Sequence, residues 1–190
     1  MPLSHLRQHC GQILFSIHLQ HASTFLLRSG LPIRGTKAKM ATARATASAY
    51  EAQLQLAKNY KLNGEYAEAI QALGVAKSLT EQTDTVDVLM GRWRVVQEHI
   101  SLADSLIGEG ALEDALVEIE KAQAVEDDRY IQGQVDRTQS DITEFDNLLS
   151  SARRAIDAQQ TELAIGYLDN ALAIRPHDSD AVRLRASLDN

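Results

Sequence analysis

The chain has 190 residues, 44% of them hydrophobic and 5% aromatic, with 26 acidic against 19 basic side chains. A net charge of −7 argues against docking on nucleic acid, which needs a basic face. The single cysteine, Cys10, excludes an intrachain disulfide framework, and frequent Ala, Leu, Glu and Gln with only three prolines point to an all-α fold.

The charge is unevenly spread. Residues 1–49 hold Arg7, Arg28, Arg34, Lys37, Lys39 and Arg44 and no acid, whereas residues 50–190 hold the other thirteen basic residues and all 26 acids. Residues 1–41 therefore read as a basic, acid-free leader, flexible or a targeting segment, ahead of a folded domain over 42–190. The apolar run Ile13 to Leu27 is too short, and with two His and a Gln too polar, to span a bilayer. The small-residue pattern Ala47-Ser48-Ala49 lies too far behind it for a secretory cleavage site. Acid-free sequence of this kind also suits organelle import; otherwise a cytoplasmic location is favoured. His5, His9, His18 and His21 stand one helical turn apart in pairs, with Cys10 nearby, but they match no ligand pattern, so no metal site is expected.

Beyond the leader the alanines repeat. Ala57, Ala69 and Ala76 are spaced twelve and seven apart, and so are Ala103, Ala115 and Ala122, then Ala152, Ala164 and Ala171. Seven residues after the first alanine of each triad come Gly64, Gly110 and Gln159; four after the second come Leu73, Ile119 and Leu168. This frame predicts one antiparallel helix pair per repeat, with small residues where helices cross closely. Asn63-Gly64 and Gly108-Glu109-Gly110 supply turns, and in the third repeat Thr161 is expected to cap the second helix instead.

Two seams lengthen the first helices. Val86, Leu89, Trp93, Val96, Ile100, Ala103 and Ile107 step by threes and fours, as do Ile131, Val135, Thr138, Ile142, Phe145, Leu149, Ala152 and Ile156. They predict long helices over 84–108 and 128–158, N-capped by Asp84 and by Asp127 or Asp128, with Gly91 and Gly133 as sites for a kink. A last helix to about Leu188, capped by Asp178 or Ser179, covers the open end. The repeats then run 42–80, 84–125 and 128–175, with the cap at 178–188.

Over about residues 50–176 this pattern resembles the tetratricopeptide repeat family. That family has small residues at the three alanine positions, a Tyr where Tyr60 stands and a Pro where Pro176 stands. Its Trp-Leu-Gly signature is absent, and its period of about 34 residues is replaced by spacings of 46 and 49. The resemblance implies an α-solenoid of three helix-turn-helix repeats that acts as a scaffold for a protein partner, without cofactor. It also implies a groove lined by the first helices: Leu54, Lys58 and Lys61, then Ile100, Asp104 and Ile107, then Leu149, Arg153 and Ile156. The Lys, Asn and Arg clamp of the chaperone-tail-binding members is not kept. The apolar part of this stripe is either open to a partner or covered, by Ile13–Leu27 or by packing of the long helices. An alternative is a homodimer in which the two seams pair between chains.

No catalytic site is expected. The chain has no Gly-Lys-Ser/Thr phosphate loop, no Gly-x-Ser-x-Gly elbow and no His-Glu-x-x-His helix. Glu113, Asp114, Glu118 and Glu120 have the spacing of a solvated helix face. Trp93 sits on a seam and reads as core.

Overall fold

The computed structural model describes residues 33–188, and the leader residues His5, His9, Cys10, His18, His21 and Ile13–Leu27 lie outside them. Seven α-helices and no strand occur among the described residues. They are α1 (Ile33–Leu62), α2 (Tyr66–Ser78), α3 (Asp84–Glu109), α4 (Leu112–Val125), α5 (Arg129–Asp157), α6 (Thr161–Ile174) and α7 (Ser179–Ser187). None is long and apolar enough to cross a membrane. The chain divides at Ala47. Before it lies the first half of α1, where Thr42 and Thr46 donate their hydroxyls to the carbonyls of Ala38 and Thr42, each at 3.1 Å. Helix thus starts at Ile33, inside the stretch read as leader; Ala, Lys and Met from Lys37 onward are good helix formers.

From Ala47 onward each helix after α1 packs on its successor. All nine frame alanines lie in the core, none more than 1% exposed. Leu73, Ile119 and Leu168, their companions in the frame, are also buried. Each such side chain contributes about 1.5–3 kcal/mol by leaving water. One core cluster runs from Ala57 to Ile131, and Ala152, Leu168 and Ala181 form a second.

The three turns inside the helix pairs are alike to the hydrogen bond. Gly64, Gly110 and Gln159 take φ of +82°, +79° and +57°. Their amides donate to the carbonyls of Lys61, Ile107 and Ile156, and the next residues' amides to those of Tyr60, Leu106 and Ala155, at 2.9–3.0 Å. This is a Schellman closure repeated three times. It corrects the expectation for Thr161, which is the first residue of α6 and caps nothing; Gln160 precedes it without a side-chain cap. Gln159 accepts the left-handed backbone, so the third turn needs no separate device.

Asp128 and Asp178 cap α5 and α7, accepting from the amides of Ile131 and Ala181 at 3.0 and 2.8 Å. Asp84 does not cap α3. Thr83 precedes it already in helical conformation, so Asp84 is helical and its charge faces the positive end of the helix dipole. Nor do Gly91 and Gly133 break their helices: α3 and α5 run unbroken through both. A helical glycine costs about 1 kcal/mol, less than the burial of the seam beside it.

Both seams pack largely within the chain. Val86, Trp93, Val96, Ile100 and Ala103 of α3 are buried, as are Ile131, Thr138, Phe145 and Ala152 of α5.

Candidate interaction surfaces

The nine residues expected to line a groove fall into different environments. Ile100 is only 7% exposed and sits in the first core cluster, with Leu54 and Ile107 packed half-buried against it. Leu149 packs likewise on the second cluster, and Ile156 is half-buried. Ile100 is therefore a core residue and offers nothing to a partner: the long helices bring their own apolar neighbours to the stripe. The exposed members are Lys58, Asp104 and Arg153, which occupy one equivalent position on α1, α3 and α5. Arg153 forms a solvent-exposed pair with Asp180 of α7 at 3.0 Å.

Lys61 is committed elsewhere. Its ammonium pairs with Glu126, lies 3.5 Å from Asp128 and sits 5.8 Å from the centre of the Trp93 ring. Arg92 completes this junction, reaching Glu126 Oε2 at 2.7 Å and donating to the Val125 carbonyl at 2.7 Å. The Tyr66 hydroxyl donates to Asp128 at 2.8 Å. Burial, and then the bond to Asp128, push that phenol above its usual range. The turn before Tyr66 fits under α5: a Cβ on Gly64 would stand 2.2 Å from the Tyr130 ring.

The next junction along the chain is built from equivalent positions but different chemistry. Adding 46 converts Lys61 and Tyr66 into Ile107 and Leu112; adding 49 converts Arg92 and Glu126 into Asp141 and Arg175. Gly110, like Gly64, is closely approached by a later segment of the chain, but by a different group: its Cβ would fall 3.3 Å from the Arg175 Cα, where that of Gly64 meets the Tyr130 ring. Arg175 does not turn to Asp141. It pairs with Glu113 at 2.5 Å and stacks on Phe145, 4.4 Å from the ring centre. That bond holds the Glu113 carboxyl below the usual carboxylate range. A cavity of 440 Å³ is left among Ile107, Leu112, Asp141, Ile174 and Pro176.

Two surfaces were not anticipated from the residues. The first is that cavity. The second is on the outer side of α3, where Val88, Val95 and Leu102 are 63%, 40% and 48% exposed at seven-residue spacing. Leu56 on α1, also exposed, holds the position equivalent to Leu102. The spacing was visible in the sequence, but the stronger seam on the other side of the helix masked it. A wider trough of 680 Å³ lies along α5 alone, with Ser140, Thr143, Asn147 and Ser151 among the residues on its wall.

Among the described residues no three His, Cys, Asp or Glu side chains are placed to hold a metal ion. Comparison with family models, with curated proteins and with solved structures gives no match.

Proposed function

We propose that residues 42–190 are an α-solenoid of three tetratricopeptide-like repeats closed by α7, acting as a non-catalytic scaffold that binds a segment of a partner protein. The observation that carries this reading is the frame itself. Nine alanines at repeated spacing are buried, and three turns at repeated spacing share one hydrogen-bond pattern. A repeat of that kind presents equivalent positions side by side, and Lys58, Asp104 and Arg153 are the charged ones left in solvent. The Arg153–Asp180 pair is worth at most about 1 kcal/mol, so a partner carboxylate can displace Asp180. The test is affinity for a partner captured by the full chain and identified by mass spectrometry. Asp104→Arg and Arg153→Glu are each expected to weaken binding by about tenfold, or 1.4 kcal/mol. Wild-type affinity in both variants would remove this face from the binding site.

A second reading has its own support. Val88, Val95 and Leu102 form a stripe about 21 Å long at 1.5 Å per residue, the heptad geometry by which two helices pair. Self-association through α3 predicts a dimer in sedimentation velocity at high micromolar concentration, and a monomer for Val95→Glu. A wild-type chain that stays monomeric there would exclude it.

A further inference from the structure

We propose that the cavity between α3, α4, α5 and α6 is a binding site for one basic side chain, lysine or arginine, of a partner polypeptide. The inference rests on the scaffold reading and adds what one part of the partner must carry.

Two junctions between successive repeats use equivalent positions. In the first, an ammonium ion fills the space: Lys61 arrives from α1 and is held by Glu126 and Asp128 beside the Trp93 ring. Tyr66 closes the floor with its bond to Asp128. Every charge there has a partner of opposite sign. In the second, Lys61 is replaced by Ile107 and Tyr66 by the shorter, wholly apolar Leu112. Of the other three charged positions, Arg92 becomes Asp141 and Glu126 becomes Arg175, so that this pair exchanges its signs, and Asp128 becomes His177. Exchange alone would preserve an ion pair. It does not, because Arg175 is drawn to Glu113 and to the Phe145 ring.

Asp141 is left half-buried on the cavity wall, and its carboxylate has no hydrogen-bond or ion-pair partner among the described residues. A carboxylate set beside apolar walls and lacking an internal partner favours an incoming cation. The other walls are Ile107, Leu112, Ile174 and Pro176, which suit the methylene stem of a long basic side chain rather than a hydrated inorganic cation. Gly108 and Ala173 line the same cavity, and both residues are solvent-exposed, so small residues mark a mouth through which a side chain enters. A basic side chain in this cavity would set a cation against a carboxylate, as Lys61 does in the first junction, here with Asp141 as its partner.

The test is an amide-shift titration of the full chain with three blocked amino acids: Nα-acetyl-lysine methylamide, its arginine counterpart and its norleucine counterpart. Saturable shifts at Gly108, Leu112 and Ile174 are expected with lysine or arginine and not with norleucine. Asp141→Asn should weaken that binding at least tenfold while leaving the melting temperature within a degree or two, since Asp141 holds no internal partner. In a second variant, Ile107→Lys, a tethered ammonium should occupy the cavity. It should abolish probe binding, and raise the melting temperature only when Asp141 is present. Norleucine binding equal to lysine, undiminished binding by Asp141→Asn, or equal effects of Ile107→Lys with and without Asp141 would each overturn the site. Putrescine binding more tightly than either blocked amino acid would overturn its assignment to a polypeptide. None of these results touches Lys58, Asp104 or Arg153, so the scaffold reading stands or falls separately, on partner affinity in the Asp104 and Arg153 variants.

Discussion

Gly64→Ala is expected to destabilise the protein by about 2–4 kcal/mol, combining a left-handed backbone with a steric clash. At φ +82° a β-carbon costs about 1 kcal/mol by itself. The rest comes from Tyr130, whose Cε2 and Cζ would each lie 2.2 Å from the new methyl. The ring can escape only by giving up its edge contact with Tyr66, 6.4 Å between centres, beside the Lys61–Glu126–Asp128 cluster. For a chain of this size the loss corresponds to a fall in melting temperature of roughly 5–15 °C.

Two companions separate the contributions. In a Tyr130→Ala background the same change at Gly64 should cost only the backbone part, about 1 kcal/mol. Gln159→Gly should act in the opposite direction and stabilise by up to about 1 kcal/mol, because Gln159 bears a side chain in the same left-handed position. Equal losses for Gly64→Ala with and without Tyr130, read from urea unfolding, would show that the ring is not what the glycine makes room for.

The parts of the fold that were legible in the sequence are those set by local spacing. The frame Ala57, Ala69, Ala76 recurs because each repeat meets the same steric demand, so the core positions and the turns at Gly64 and Gly110 could be read directly. The caps were legible only to within a neighbour: Asp128 and Asp178 cap where Asp127 and Ser179 were equally open, and Asp84 caps nothing because Thr83 is already helical. Thr161 looked equally suitable and was not used: Gln159 had already turned the chain, a choice that depends on backbone geometry no spacing reports. The outer stripe Val88, Val95 and Leu102 was overshadowed because two apolar lines on one helix blur each other's period.

The site was less legible, for a physical reason. Whether Ile100 or Ile107 faces a partner or a neighbouring helix depends on how close the long helices lie, and that distance is set by residues far apart in sequence. The junctions are a sharper case. Lys61, Arg92, Glu126 and Asp128 look like ordinary surface charges in the chain, yet Lys61 and Glu126 keep only 16% of their side-chain surface in solvent. Asp141 gives no local sign that it lacks a counterpart. Only when Arg175 is seen to pair with Glu113 does the exchange of charges between the two junctions acquire a consequence.

The frame itself can be put at risk through Ala115, which is wholly buried at the middle of the second repeat. Ala115→Leu is expected to cost about 3 kcal/mol, because a packed interior has no void for three more carbons and must shift helix against helix. Leucine is nearly as good a helix former as alanine, so intrinsic propensity contributes almost nothing to that loss. Ala124, exposed on the same helix α4, supplies the control: Ala124→Leu should change stability by less than about 0.5 kcal/mol. Glycine at either position should cost about 1 kcal/mol in propensity, which checks that both sites are helical to the same degree. The difference between the two leucine variants, measured by urea unfolding, therefore isolates close helix packing from helix formation. If leucine is tolerated equally at 115 and 124, the helices do not cross tightly at the alanines. The repeated spacing would then reflect helix preference alone, and the reading of this chain as a stack of equivalent repeats would lose the observation that carries it.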